Sequence, residues 1–229
     1  MTDLLSISIL PLVLTLVLFY GSQRLQQKLK SPLLNPILIT VVLVLIFLFV
    51  TGISVPDYQA GMKNIAWLLT PATVSLAVPM YEQFRLLRKN LAAIAAGVAA
   101  GAVSCLVMVL LFGILCRFDP ALTVSLLPKS ITTAIGVVLS EMSGGMTGVT
   151  TAAIVFTGIF ANIMGQGFCR LFRITDPIAQ GVAFGTAGHV IGTSKANELS
   201  PLTGAVSSLS LVVAGLLTAV LFPLLVTLV

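Results

Sequence analysis

Eight apolar stretches, each near the length that carries a helix through a bilayer, follow one another with only short polar connections. They fall at 5–20, 36–50, 67–81, 91–116, 121–140, 149–168, 177–193 and 202–229. A hydrocarbon core about 30 Å thick takes about 20 residues of helix, and every backbone polar group inside it must be paired. The pattern therefore predicts an all-α polytopic membrane protein with about seven or eight transmembrane segments. Composition agrees, since 58% hydrophobic against 8% charged residues leaves too little polar surface for a soluble domain. The stretch ending at Tyr20 lacks the basic start and small-residue cleavage site of a signal peptide and reads as a retained span.

The formal charge of +5 does not call for nucleic acid, because the basic residues sit in short clusters beside apolar segments. Arg24, Lys28 and Lys30 follow the first segment and Arg85, Arg88 and Lys89 the third, which predicts cytoplasmic connections and an external N-terminus. Eight simple crossings would then strand Arg170 and Arg173 outside. A segment that enters and leaves from one side around Pro128 returns them to the cytoplasm; otherwise the two arginines break the rule. Cys105, Cys116 and Cys169 are odd in number and lack metal-ligand spacing, so they read as packing residues and no metal or cofactor is expected.

The stretch 127–145, LPKSITTAIGVVLSEMSGG, places a lysine, a proline and several hydroxyls at membrane depth. Proline suits the first turn of a helix and breaks a longer one, so a half-helix is expected to begin at Pro128. Its free N–H groups at Lys129, Ser130 and Ile131, together with the ammonium, would attract an anion. At helical spacing Lys129, Thr133, Gly136 and Ser140 share a face, with Thr132 beside them, and that stripe is expected to line a cavity. Glu82, Glu141 and Glu198 are the candidate side-chain partners of Lys129 and, with His189, the proton-coupling candidates.

Two more segments are interrupted. LTPATVSLAVPMYEQ at 69–83 carries Pro71, Pro79, Thr70 and Thr73, and GVAFGTAGHVIGTSKANE at 181–198 carries four glycines and the single histidine. Setting Pro71 on Pro128 also matches Thr73 with Ser130, Ser75 with Thr132 and Ala77 with Ala134, which suggests an internal repeat. Paired interrupted segments are the best sequence pointer to a midplane site in a carrier. Gly185, His189 and Gly192 would share one face, with Thr186 and Thr193 alongside. There the imidazole either meets substrate and a proton or is a hydrogen-bonded packing residue. Gly158, Asn162 and Gly165, and Gly204, Ser208 and Gly215, form further lean faces that should pack closely, bringing Asn162 near the cavity.

LTPATVSLAVPMYEQ, LPKSITTAIG with the Gly144–Gly145 pair, and GTAGHVIGTSKANE together resemble the LrgB/CidB family of bacterial membrane proteins. That family includes YohK-type proteins and the C-terminal half of the plastid glycolate/glycerate translocator. The resemblance covers almost the whole chain as one domain, 1–229, although Ala134 and Gly188 stand where the family more often has proline and serine.

What the resemblance implies is a multi-pass protein of the bacterial inner membrane working with a small LrgA/CidA-type membrane protein, and a homo-oligomer is compatible with it. Two functions come with the family: a carrier of small carboxylates such as pyruvate, glycolate or glycerate, and a holin-associated modulator of murein hydrolase export and lysis. The residues favour the carrier, with Thr70, Thr73, Pro128, Lys129, Ser130, Thr132, Thr133, Asn162, His189, Gly192 and Thr193 as its substrate-binding set. An enzyme is not expected, because neither Ser130 beside Lys129 nor Ser194 near His189 has an orienting acid.

Overall fold

The computed structural model describes residues 2–29, 35–68, 71, 74–75 and 77–229. Thr70 and Thr73, with positions 69, 72 and 76 of the stretch used for the Pro71 repeat, lie outside the described residues. The described residues are helical with connecting turns, and they divide into two units, 1–75 and 76–229.

In the first unit α1 (Thr2–Leu29) packs against α2 (Pro36–Thr51) and α3 (Val55–Ala66). Asn35 caps α2 by accepting from Ile37 N and Leu38 N, and Gly52, at φ 69°, ends it. Buried and half-buried hydroxyls join the helices where apolar side chains leave a polar group to satisfy. Thr40 donates to Ser22 Oγ at 3.3 Å, and Thr15 is hydrogen-bonded to Tyr58.

The second unit holds α4 (Ala77–Glu82), α5 (Phe84–Lys89), α6 (Leu91–Leu115), α7 (Pro120–Leu126), α8 (Thr133–Met142), α9 (Thr147–Leu171), α10 (Pro177–Leu199) and α11 (Pro201–Val226). At 25, 25 and 26 residues, α6, α9 and α11 are long and apolar enough to cross a membrane, as is the 9–29 part of α1. The expected crossings at 121–140 and 177–193 are instead hairpins that enter and leave at one end of the bundle.

The first hairpin is α7, a turn at 127–132, and α8. Thr123 packs on Gly113 near the end of α6, and Leu127 packs on Leu106 deeper in. The chain then turns, and Gly136 meets Ile154 in the middle of α9 while Ser140 accepts from Thr150 Oγ1 at 2.7 Å, nearer the start of α9. Met146 N donates to Ser125 Oγ at 2.7 Å, closing the mouth.

The second hairpin lies within α10, which breaks at His189 (φ 42°, ψ −137°). Before the break Gly181 and Gly185 pack on Thr203 and Ser207, running with α11; after it Thr193 meets Ser207 Oγ at 2.8 Å and Asn197 meets Gly204, running against it. Gly192 comes back onto the Phe184 carbonyl, so close that a Cβ would lie 2.5 Å from that oxygen. No side chain fits there. The face expected from Gly185, His189 and Gly192 is therefore split between two arms.

Both hairpins are entered by the same device. α6 and α9 each end with an arginine at positive φ, Arg117 (52°) and Arg173 (56°), and the next N–H turns back to Gly113 O at 2.8 Å and to Cys169 O at 2.7 Å. Asp119 and Asp176 then cap a helix that begins with Pro120 or Pro177. The 57-residue offset between these prolines equals that between Pro71 and Pro128. The second unit thus repeats a long helix followed by a hairpin. Because α6 and α9 run in opposite directions, the two hairpins enter from opposite ends.

This topology places Leu87 with Ile178 and Leu202 at one end of the bundle, so Arg85, Arg88, Lys89, Arg170 and Arg173 share that end. The first hairpin thereby resolves the charge conflict posed by eight simple crossings. Exposed Cys116 lies at the opposite end. Cysteines introduced for Arg88 and Arg173 should react with an impermeant thiol reagent from one side of the membrane and Cys116 from the other. Labelling of positions 88 and 173 from different sides would contradict the hairpin.

Candidate functional site

The hairpin tips meet α6 and α9 at mid-depth, and a cavity of about 550 Å³ opens between these elements. Gly97 and Gly101 let Val182 and Thr186 of the second hairpin pack closely on α6, which brings that hairpin to the cavity wall. Of the substrate-binding set read from the sequence, Lys129 and Ser130 line the cavity.

Lys129 is half-buried, and its Nζ lies 3.4 Å from both Cys105 Sγ and Ser130 Oγ. Those two are themselves 3.0 Å apart. The contact to Ser130 is long for an N–H···O hydrogen bond, a thiol sulfur is a weak acceptor, and an ammonium has three protons to place. Glu198 is held by Lys195 at 2.7 Å, the one ion pair among the described residues, and Glu82 and Glu141 are exposed. No described carboxylate neutralises Lys129. A charge at membrane depth costs at least about 2.5 kcal/mol on insertion scales, so its retention marks a function or a wet cavity.

The backbone around Lys129 differs from the expected half-helix. Positions 127–132 form a turn in which Lys129 N donates to Leu126 O and Ile131 N to Pro128 O, both at 3.2 Å. Pro128 is buried in that turn, and the helix starts at Thr133 because Thr132, extended at ψ 143°, precedes it. The expectation of free N–H groups at Lys129 and Ile131 is thus corrected. The polar stripe is corrected as well: Gly136 and Ser140 pack on α9, Thr133 is exposed, and Thr132 is outside the cavity lining.

His189 is 4% exposed, and its Nε2 donates to Ile154 O at 2.9 Å. Thr193 Oγ1 donates to the His189 carbonyl at 2.8 Å, and the imidazole fills the notch left by Gly158. His189, Gly192 and Thr193 therefore pin the hairpin tip and are not in the cavity lining. Asn162 acts similarly, donating to Ile191 O at 2.9 Å and Ser194 Oγ at 3.2 Å on the returning arm. The lean face Gly158–Asn162–Gly165 does meet the second hairpin, with Gly165 under the Phe184 ring.

A positive φ costs a non-glycine residue about 1–3 kcal/mol, and a lost buried hydrogen bond costs a similar amount. His189→Ala keeps the strain and loses the bond, so it should lower stability by about 2–4 kcal/mol, whereas His189→Gly should recover about 1 kcal/mol of that. Thermal unfolding of the two variants in one detergent checks the order; glycine below alanine would argue against a strained tip.

Thr186, read from the sequence as lying beside the His189 face, lines the cavity, and sequence reasoning missed Ser104, Cys105 and Thr157, which complete its polar end. Beyond them the wall turns apolar: Phe184, Gly165, Phe168, Cys169 and Ile174 line the part nearer the C-terminal end of α9.

Membrane-length helices, opposed hairpins and a lysine-lined cavity between their tips define a polytopic helical membrane protein. The chain belongs to the LrgB-like family, whose model matches residues 15–228. No solved structure matches the chain.

Proposed function

We propose that this protein is a secondary carrier of small carboxylates, with the carboxylate taken by Lys129 and Ser130 at the first hairpin tip. The observation that carries this reading is an ammonium on the wall of a 550 Å³ cavity with no described carboxylate beside it. Repeated, oppositely entering broken segments around a mid-depth site suit alternating access, since they recur in carriers that open to either side in turn. The cavity wall contains no Asp, Glu or His among the described residues. His189 and the three glutamates would thus act in proton coupling only at a distance from the anion.

The family's other role, modulation of murein hydrolase export, calls for no such cavity. The setting we propose is the bacterial inner membrane, with the basic end of the second unit cytoplasmic, the N-terminus outside, and an LrgA/CidA-type partner protein. Purified protein in liposomes, with and without that partner, should take up labelled pyruvate, glycolate or glycerate saturably under a proton gradient. Passive leakage of unrelated solutes, without saturable uptake of any carboxylate, would overturn the carrier reading in favour of the lysis role.

A further inference from the structure

The cavity is amphipathic along its length. Thr157 on its wall lies beside Gly158, which packs on the second hairpin tip, and Thr186 lies against Gly101 in the middle of α6. Lys129 and Ser130 join them at this level. Two of the hydroxyls here have already spent their protons, Thr186 on Val182 O at 2.6 Å and Ser104 on Gly101 O at 3.0 Å. The side-chain donors left for an anion at this end are therefore those of Lys129, Ser130 and Thr157.

From Thr157 to Phe168 the cavity follows α9 for about 16 Å at helical rise. Towards Phe168 and Ile174 the lining has no hydroxyl, amide or charged group among the described residues. A ligand hydroxyl placed there would lose water and find no partner, whereas a methylene would lose only water. Lys129 is the single charged side chain on the described wall, so one carboxylate is matched and a second is not.

We infer that the preferred substrate is an amphiphilic monocarboxylate, its carboxylate at Lys129 and its apolar tail towards Ile174, rather than a hydroxylated two- or three-carbon acid. This rests on the carrier reading and narrows it. The cavity volume agrees, since about 550 Å³ leaves room for a ligand much larger than glycolate.

The test is competition binding to the purified full-length protein with acetate, butanoate, hexanoate, glycolate, glycerate, succinate and hexanol. Affinity should rise up to about fourfold per added methylene from acetate to hexanoate. Butanoate should bind more tightly than glycerate or succinate, and hexanol, which has the tail without the charge, should not compete. Lys129→Met should abolish hexanoate binding, and Ile174→Thr should flatten the rise with chain length. Lys129-dependent binding that ignores chain length, or that favours glycolate and glycerate, overturns this inference and leaves the carrier standing. Competition by hexanol as strong as by hexanoate overturns it too, by showing partition into an apolar groove. Absence of Lys129-dependent binding for every acid overturns the carrier reading itself.

Discussion

Lys129→Met should insert and fold, and should lose saturable carboxylate uptake by about two orders of magnitude or more. Removing one member of a buried, hydrogen-bonded charge pair costs about 2–5 kcal/mol of binding, and each 1.4 kcal/mol is a factor of ten. The sign of the stability change is what makes the experiment decisive. An ammonium with no described carboxylate partner raises the energy of the empty protein, so methionine at 129 should leave stability unchanged or raise it, up to the roughly 2.5–3.5 kcal/mol insertion cost of the charge. A structural ion pair would behave in the opposite way, because losing one partner strands the other.

Lys129→Arg separates charge from shape. The guanidinium keeps the positive charge but brings a planar fork in place of a compact point charge, into a site already bounded by Cys105 Sγ and Ser130 Oγ at 3.4 Å. Weak uptake with altered selectivity is expected. Normal saturable uptake by a correctly inserted Lys129→Met protein would remove the anion site from the mechanism.

The crossing helices were legible because composition and segment length alone decide whether a helix can sit in lipid. The hairpins were legible in part. Basic clusters around 88 and 173 demanded an even number of passes at 121–140, which a parity argument can supply without any knowledge of packing. What the chain does at 127–132 was not legible, because proline at 128 is compatible both with the first turn of a helix and with a buried turn. Here Leu126 O and Pro128 O accept the N–H groups that a half-helix would have left free.

The histidine misled for a related reason. A lone imidazole among glycines fits a substrate contact and a packing plug equally well, and only the tertiary approach of Ile154 O and Gly158 shows that it plugs a strained tip. Cys105 was overlooked in the opposite sense. An isolated thiol on an apolar helix has no local pattern, and its place beside Lys129 comes from a contact across 24 residues of chain.

Gly185→Ala should be the most damaging single-methyl addition in the second hairpin, lowering stability by about 3 kcal/mol or more. A Cβ there would press on the Ser207 carbonyl oxygen, lie 2.7 Å from Ser210 Cβ, and come within 3.1 Å of Leu211 N. Two of these three are backbone atoms of α11, which cannot swing aside as a side-chain end can, so the arm itself must move. Overpacking a core ordinarily costs about 1–3 kcal/mol, and the rigidity of this contact puts it at or above the upper end. Displacing the arm would also pull Thr193 away from Ser207, whose oxygens are 2.8 Å apart, and loosen the tip that His189 holds. Gly167→Ala is the matched control: it is a helical glycine with nothing within 4 Å of the added carbon, so it should gain up to about 1 kcal/mol from helix propensity alone. Unfolding both variants in the same detergent should therefore give shifts of opposite sign. Wild-type stability for Gly185→Ala would mean that the first arm of the hairpin does not lie against α11.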